Sequence, residues 1–186
     1  EICEGQQMDM EFESRNDVAE EEYIEMIRLK TAVLLAAGLK IGAILAGAST
    51  EDADHLYHFG MNIGVAFQLQ DDLLDVYGDP VLFGKNTGGD ILCNKKTYML
   101  IKALQRADNE QRTALDRWLT AEAYQPAEKI EAVTELYNQL DIRAVCENKM
   151  REYYTLAMNS LDAVSVVEEK KQELKNMMKQ LMYRKI

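Results

Sequence analysis

The sequence contains few residues that would interrupt a long helix. Proline occurs only at positions 80 and 126, and the one glycine-rich stretch is 78–90. Between Glu51 and Tyr77 the apolar residues recur at spacings of three, four and seven, the period of an amphipathic helix; they are Leu56, Phe59, Ile63, Phe67 and Leu74. Helix-forming Leu, Ala, Glu, Lys and Met are frequent, and no convincing alternating strand pattern is present. The sequence therefore predicts an all-α fold.

The helices can be placed from periodicity and from their end signals. We predict helices over 20–48, 51–77, 95–105, 111–121, 127–139, 142–160 and 164–183, with Thr50 as the N-cap of the second. Pro126 lies near the first turn of its helix, where a missing N–H is tolerated. The stretch from Thr31 to Ser49 is apolar nearly all round but is broken by Lys40 and by glycines. That composition favours a helix buried in the middle of a bundle over a membrane span.

The charge and the cysteines narrow the class of protein. The net charge is −11, and ten acids with a single base, Arg15, lie within residues 1–25. An acidic total argues against nonspecific binding to nucleic acid or anionic lipid, because both need a basic surface. The remaining residues are near balance and can still carry a local cationic site. The three cysteines are far apart and no signal-peptide pattern begins the sequence, so we predict a cytoplasmic protein without disulfides.

Asp71, Asp72 and Asp75 form the most specific motif, of the type DDxxD. On a helix Asp71 and Asp75 share a face and Asp72 flanks them, so their charges repel unless a cation neutralises them. Aspartate oxygens suit a hard ion such as Mg²⁺, which keeps waters and substrate phosphates as its other ligands. The alternative is a solvated acidic face at the end of a helix.

A segment rich in glycine and lysine follows about ten residues later. It runs from Gly84 through Lys85, Gly88 and Gly89 to Asp90, and Lys95, Lys96 and Thr97 come after it. Glycines let backbone N–H groups approach an anion and lysines supply charge, although an ordinary flexible loop has the same composition. It is not a Walker A loop, because Lys85 precedes the glycines. Together with the aspartates, the segment predicts a metal-bound diphosphate site.

Lys30 and Thr31 lie where the acidic turns give way to the apolar helix. Two interpretations are open for the lysine. Its ammonium group either extends along the helix to solvent, or points into a polar cavity inside the bundle, where the Thr31 hydroxyl would be a second anion donor.

These motifs resemble, in order and spacing, the C-terminal half of a trans-type polyprenyl diphosphate synthase, the family that includes geranyl, farnesyl and geranylgeranyl diphosphate synthases. The resemblance covers residues 5–97, and beyond them it extends only to the helical pattern. The matching blocks are Gly5-Gln6-x-x-Asp9, Lys30-Thr31, Phe59-Gly60 with Gly64-x-Ala66-Phe67-Gln68-x-x-Asp71-Asp72-x-x-Asp75, and Gly84-Lys85-x-x-Gly88-x-Asp90 with Lys95-x-Thr97.

The resemblance implies a role for each matching residue. Asp71 would be the strongest ligand for one of the Mg²⁺ ions that bind an allylic diphosphate, with Asp72 and Asp75 as direct or water-mediated support. Lys30, Thr31 and Gln68 match contacts to the allylic substrate. Lys85 and Lys95 match lysines that bind its diphosphate, Asp90 an acid that supports them, and Gln6 and Asp9 a motif that lines the same cavity. The residues implied to act in catalysis are Lys30, Asp71 and Lys85.

The fold implied by the resemblance is the isoprenoid-synthase helical bundle, with residues 1–186 forming a fragment of one polyprenyl synthase domain. The implied activity is Mg²⁺-dependent, head-to-tail condensation of isopentenyl diphosphate with an allylic diphosphate through an allyl cation. The implied enzyme is a homodimeric short-chain synthase, for example of geranyl or farnesyl diphosphate. In the family, product length is set largely by residues just before a first aspartate motif, which this sequence does not contain.

The sequence departs from the family in having one aspartate-rich motif where the family has two on facing helices. We therefore expect a truncated synthase that is inactive by itself. A non-catalytic regulatory subunit or degenerate paralogue of a prenyl synthase is the main alternative, favoured by the missing motif and disfavoured by the intact aspartates and lysines. A terpene cyclase would carry an Asn/Ser/Glu metal triad, which is absent. A purely structural bundle would bind Mg²⁺ and diphosphate no differently after Asp71→Ala.

Overall fold

The computed structural model describes residues 1–79 and 87–182, and each regular element within these ranges is helical. The all-α prediction is therefore confirmed. A π-helical turn, Arg28–Ala32, joins the second and third helices. The α-helices are α1 (Ile2–Glu13), α2 (Glu20–Ile27), α3 (Val33–Leu45), α4 (Thr50–Tyr77), α5 (Gly89–Leu92), α6 (Tyr98–Arg106), α7 (Asn109–Thr120), α8 (Pro126–Gln139), α9 (Ile142–Ala163) and α10 (Glu168–Met182).

Most predicted helices lie within a few residues of the observed ones, and the differences have local causes. The N-cap of α4 is Ser49, whose hydroxyl accepts the Asp52 N–H at 3.0 Å, so the assignment of Thr50 is wrong by one residue. Pro126 begins α8, as predicted. No helix was predicted for α1, an acid-rich element that buries only Gly5 and Phe12.

The central helix is α4, which packs against α3 on one side and α9 on another. Two glycines set its distance from the α3 side. A Cβ atom on Gly64 would lie 2.6 Å from the Ala32 Cα, and one on Gly60 would lie 2.7 Å from the Ala36 Cα. Only residues without a side chain permit this approach. As a result α4 lies directly against the π-helical turn.

Helix α3 is not buried on all of its faces, although its sequence predicted that it would be. Its buried residues are the small ones that face α4, Ala36 and Ala43, together with Val33. The larger apolar side chains are exposed: Leu34, Ile41 and Ile44 are each more than half exposed, and Leu45 is 83% exposed. Within residues 1–79 and 87–182 nothing covers this face, so the prediction is wrong for it. None of the described helices is both long and apolar enough to cross a membrane.

Candidate functional site

Asp72 is the buried member of the aspartate cluster on α4. Its side chain is 1% exposed and accepts hydrogen bonds from the Tyr23 hydroxyl and from Gln68 Nε2, the latter at 3.1 Å. Burial raises the pKa of Asp72 to about 7, although the charge of Lys95 and the Tyr23 hydrogen bond oppose this shift. Burial disfavours an ionised carboxylate unless donors or cations compensate it fully. The neighbours of Asp72 therefore compensate the charge of its ionised carboxylate only in part.

Asp75 joins the end of α4 to the start of α5. Its Oδ2 accepts the backbone N–H of Asp90 at 2.9 Å, and its backbone carbonyl accepts the N–H of Gly88. Gly88 has a φ of 85°, a left-handed conformation that glycine adopts without strain. The last residues of the glycine-rich segment thus fold back onto the aspartate motif.

Asp71 is half-buried and makes no hydrogen bond or ion pair with the described part of the chain. Its negative charge nevertheless affects the pKa of Asp90. Burial is the main cause of the raised pKa of Asp90, and the charges of Asp75 and Asp71 add to it, against the effect of Lys95. Asp71 is thus the carboxylate in the motif that is most available to a cation.

Lys95 is held between carboxylates of two helices. Its Nζ lies 3.2 Å from Asp90 Oδ1 and 4.0 Å from Asp72 Oδ1. Burial alone would lower the pKa of Lys95, but the charges of Asp72 and Asp90 raise it above its ordinary value. The side chain therefore stays an ammonium group at this position.

Lys30 comes from the π-helical turn. Its Nζ pairs with Asp9 Oδ2 at 2.6 Å, and the neighbouring Thr31 hydroxyl donates to Gln68 Oε1 at 3.1 Å. A π-helical turn inside a helix re-aims side chains and is frequent at functional sites. Helix α1 can approach the turn because of Gly5, whose added Cβ would lie 2.4 Å from the Lys30 backbone nitrogen. This arrangement supports the interpretation in which Lys30 points into a polar cavity.

The charged side chains line two cavities that share Asp9 and Lys95. A narrow one of about 20 Å³ is bounded in addition by Tyr23, Met26, Ile27, Lys30, Gln68 and Asp72. A wider one of about 650 Å³ has walls formed by Phe12, Glu13, Gly89, Asp90, Cys93, Asn94 and Lys96. The wide cavity has room for an anion, and the narrow one borders the buried Asp72 carboxyl group.

Most of the predicted site residues meet around these cavities. Thr31 joins them through Gln68, and Asp75 through Asp90. Gln6 is exposed on α1 and lines neither cavity, and Lys85 lies outside the described residues. Tyr23 was not among the predicted site residues, although its spacing of seven from Lys30 places both on one helix face. The residues that the structure brings together are Asp9, Lys30, Gln68, Asp72, Asp90 and Lys95.

The three aspartates do not converge on one point. No group of three or more His, Cys, Asp or Glu side chains in residues 1–79 and 87–182 is arranged to hold a metal ion. Asp72 contacts Tyr23 and Asp75 contacts the Asp90 N–H. The carboxylate oxygens still suit Mg²⁺ as ligands. Asp71 has no hydrogen-bond or ion-pair partner in the described residues, and the neighbours of Asp72 only partly compensate its negative charge. Metal ligation by Asp71, Asp72 and Asp75 stays a prediction.

The raised pKa of Asp72 gives the metal-free protein a specific pH dependence. The folded protein holds the Asp72 proton up to a pH of about 7, whereas the unfolded chain releases it near its ordinary value of 3.8. The contribution of Asp72 to stability therefore decreases as pH rises between these values. Between about pH 5 and about pH 8, Asp72→Asn should remove up to about 3 kcal/mol of this pH-dependent change, because about two units of the titration lie in that range. Urea unfolding in EDTA at about pH 5 and about pH 8 measures it.

A control for this titration is Asp116→Asn, which removes an exposed carboxylate paired with Arg112 on α7. That variant should keep the pH dependence of the unsubstituted chain. An unchanged slope in Asp72→Asn would contradict the prediction and would assign the titration to Asp90, whose pKa is also raised.

These features define an all-α protein in which acidic and basic side chains surround a polar cavity at one end of the central helix. The sequence model of the family described as Polyprenyl synthetase matches residues 1–139. The chain belongs to this family, as the motifs predicted.

Similar proteins are longer than this chain. A short chain isoprenyl diphosphate synthase of Methanothermobacter thermautotrophicus is 48% identical over 135 residues, which cover 69% of this chain and 42% of that protein. A solved structure of a geranylgeranyl pyrophosphate synthase superposes with a TM-score of 0.92 at 39% identity, covering 100% of this chain and 57% of the other. The Corynebacterium glutamicum geranylgeranyl pyrophosphate synthase, complexed with isoprenyl diphosphate and magnesium, gives 0.89 and 33%, covering 99% and 52%. The chain thus spans about half the length of the relatives it matches, and its fold is that of the all-α isoprenoid synthases.

Proposed function

We propose that this chain forms one wall of the active site of a polyprenyl diphosphate synthase, and that the wall binds the diphosphate group of an allylic substrate together with Mg²⁺. The observation that carries the proposal is the meeting of two lysines, Lys30 and Lys95, with Asp72 around the narrow cavity, where Lys95 also pairs with Asp90 in the wall of the adjoining wide cavity. A diphosphate needs cations on several sides, and carboxylates among the lysines supply the ligands of a hard metal ion.

The substrate contacts follow from the positions of the donors. Lys30 and Lys95 would donate to diphosphate oxygens, and the Thr31 hydroxyl would join them by turning its single hydrogen away from Gln68 Oε1, to which it donates in the structure. Lys85 is included in this set from the sequence alone. Asp71 would be the leading ligand of Mg²⁺, and Asp72 and Asp75 would support it directly or through water. Asp9 would release Lys30 when the anion enters, because its ion pair with Lys30 occupies the same donors.

The chemistry assigned to the whole enzyme is the head-to-tail condensation of isopentenyl diphosphate with an allylic diphosphate. Bound Mg²⁺ supplies positive charge that stabilises the departing diphosphate. Lys30 and Lys95 donate hydrogen bonds whose strength increases as negative charge develops on the oxygen of the breaking C–O bond. The double bond of isopentenyl diphosphate attacks the allyl cation, and the released diphosphate accepts the proton that is lost. Apolar side chains of the bundle exclude water that would otherwise capture the cation.

Several details belong to the proposal. The relatives are named for short-chain, geranylgeranyl and geranylfarnesyl products, so the product length of this protein is left open. We propose a homodimer with Mg²⁺ as its metal. A non-catalytic subunit is the second candidate. The two candidates differ in whether the whole protein turns over isopentenyl diphosphate.

Removal of the metal tests the proposed binding function. Geranyl diphosphate should bind the chain in the presence of MgCl₂ and should bind about 100-fold more weakly in EDTA, because the carboxylates then repel the anion. Isothermal titration calorimetry at matched ionic strength measures both affinities. Geraniol, which lacks the diphosphate, should not bind. Equal affinity with and without Mg²⁺, or absence of binding in both buffers, would contradict the proposal.

A further inference from the structure

Lys129 on α8 is a buried lysine that the proposed chemistry does not use. Its side chain is 1% exposed, and no carboxylate in the described ranges lies within ion-pairing distance. Burial lowers its pKa. A buried ammonium group without a counter-charge is unfavourable unless other acceptors satisfy it. The contacts of Lys129 therefore indicate what it stabilises.

Among the described residues, the polar contacts of Lys129 are with the end of α5, with the turn that follows it and with an aromatic ring beside them. Its Nζ donates to Asn94 Oδ1 at 2.7 Å and to the Leu92 carbonyl at 3.5 Å. The Nζ also lies 4.3 Å from the centre of the Tyr124 ring, whose hydroxyl donates to the same carbonyl at 3.2 Å. Leu92 is the last residue of α5, where carbonyl groups lack helical partners.

Two residues in the left-handed region frame α5, and α8 contacts both. Gly88 has a φ of 85°, and an added Cβ would lie 2.6 Å from the side chain of Ile130. Asn94 has a φ of 52°, and its amide nitrogen donates to the Leu119 carbonyl at 3.0 Å while its oxygen accepts from Lys129. Adjacent residues of α8, Lys129 and Ile130, therefore hold the two ends of α5.

The segment held in this way carries two site residues. Asp90 lies within α5 and its N–H contacts Asp75 on α4. Lys95 directly follows Asn94; its backbone N–H donates to the Asp90 carbonyl at 3.0 Å and its ammonium reaches the Asp90 carboxylate. A shift of the turn would move the ammonium of Lys95 relative to Asp72.

We infer that Lys129 is a positioning residue, which holds residues 88–95 in the arrangement that places Asp90 and Lys95 beside Asp72. Its effect on substrate binding rests on the proposed function, whereas its effect on the turn does not. The chemical class of ligand concerned is a diphosphate, and inorganic pyrophosphate with Mg²⁺ is the probe.

Lys129→Met removes the ammonium group and keeps most of the apolar stem. We expect this variant to fold, to bind pyrophosphate in MgCl₂ about 10-fold more weakly, and to show shifted backbone amide signals for Asp90 and Lys95 in ¹⁵N–¹H NMR spectra. Asn94→Gly is a second variant, which keeps the left-handed conformation but removes the oxygen that accepts from Lys129. It should shift the same signals and weaken pyrophosphate binding in the same direction.

Lys171→Met is the matched control, because Lys171 on α10 is also a buried lysine that donates to a backbone carbonyl, that of Asp162 in the last turn of α9. It should leave both the pyrophosphate affinity and the signals of Asp90 and Lys95 unchanged. Unshifted signals in Lys129→Met and in Asn94→Gly would overturn the inference, and so would an unchanged affinity beside an unsubstituted chain that binds. Failure of the unsubstituted chain to bind would contradict the proposed function instead, and the NMR signals alone would then decide the role of Lys129.

Discussion

Asp71→Asn should weaken Mg²⁺-dependent binding of geranyl diphosphate by about 100-fold or more, because loss of a group that only orients a metal ligand already costs about 10–100-fold and Asp71 would be a direct ligand. The reason is that Asp71 is the only one of the three motif aspartates without a hydrogen-bond or ion-pair partner in residues 1–79 and 87–182. The substitution keeps the shape of the side chain and removes its charge. The thermal unfolding temperature of the metal-free variant should be unchanged or slightly higher, because the substitution removes the repulsion between Asp71 and Asp90.

The control for Asp71→Asn is Asp54→Asn, the same chemical change on the same helix. Asp54 lies 17 positions away and pairs with Lys40 at the surface. At about 1.5 Å per residue, that places it about 25 Å from the site. Calorimetry should give the unsubstituted affinity for Asp54→Asn. Wild-type affinity in Asp71→Asn would exclude Asp71 as the leading ligand, and an equal loss in both variants would indicate a nonspecific charge effect.

The difference among the three aspartates could not be predicted from the motif. Helical spacing correctly separates Asp72 from the face that Asp71 and Asp75 share. Which carboxylate is free, however, depends on residues distant in sequence. The hydroxyl of Tyr23, 49 positions away, donates a hydrogen bond to Asp72, and the backbone N–H of Asp90 donates one to Asp75. These contacts arise from tertiary packing, and a local pattern contains no information about them.

The helices themselves were largely predictable, because an amphipathic period and end signals are local properties. The π-helical turn was not, since nothing in the composition of residues 28–32 distinguishes it from an ordinary turn of helix. Its neighbour Gly5 is 25 positions from Lys30 and marks a close approach that only the packed structure reveals. The same limit applies to α3, where an apolar sequence was interpreted as complete burial although one face is exposed.

The acidic N-terminal region has a structural role that its charge alone did not suggest. Glu20 lies between Lys102 on α6 and Lys149 on α9, at 2.8 Å and 3.2 Å. Glu22 on α2 pairs with Arg15, which lies in the segment between α1 and α2. Some of the ten acids therefore connect helices, and the walls of the site contain the lysines Lys30, Lys95 and Lys96 beside its carboxylates despite the net charge of −11. An incoming anion interacts mainly with the charges close to the site, because exposed charges farther than about 10 Å are largely screened by salt.

A large loss of stability is expected for Gly64→Ala. An added Cβ would lie 2.6 Å from the Ala32 Cα and 2.7 Å from its Cβ, in the π-helical turn. Neither atom belongs to a flexible side chain, so α4 and the turn must separate. Overpacking of this kind should lower the free energy of unfolding by about 1–3 kcal/mol. Since Lys30 and Thr31 lie in the same turn, binding of geranyl diphosphate should weaken as well.

Gly38→Ala provides the opposite expectation for the same chemical change on the facing helix. Gly38 lies within α3, and an added Cβ there meets no atom within 4 Å. Alanine is the better helix former, so this variant should be more stable by up to about 1 kcal/mol. Urea unfolding of both variants at one pH measures the two changes. A destabilised Gly38→Ala would show that the exposed face of α3 is covered in solution, whereas an unaffected Gly64→Ala would show that the close contact between α4 and the π-helical turn does not hold the two helices at a fixed distance.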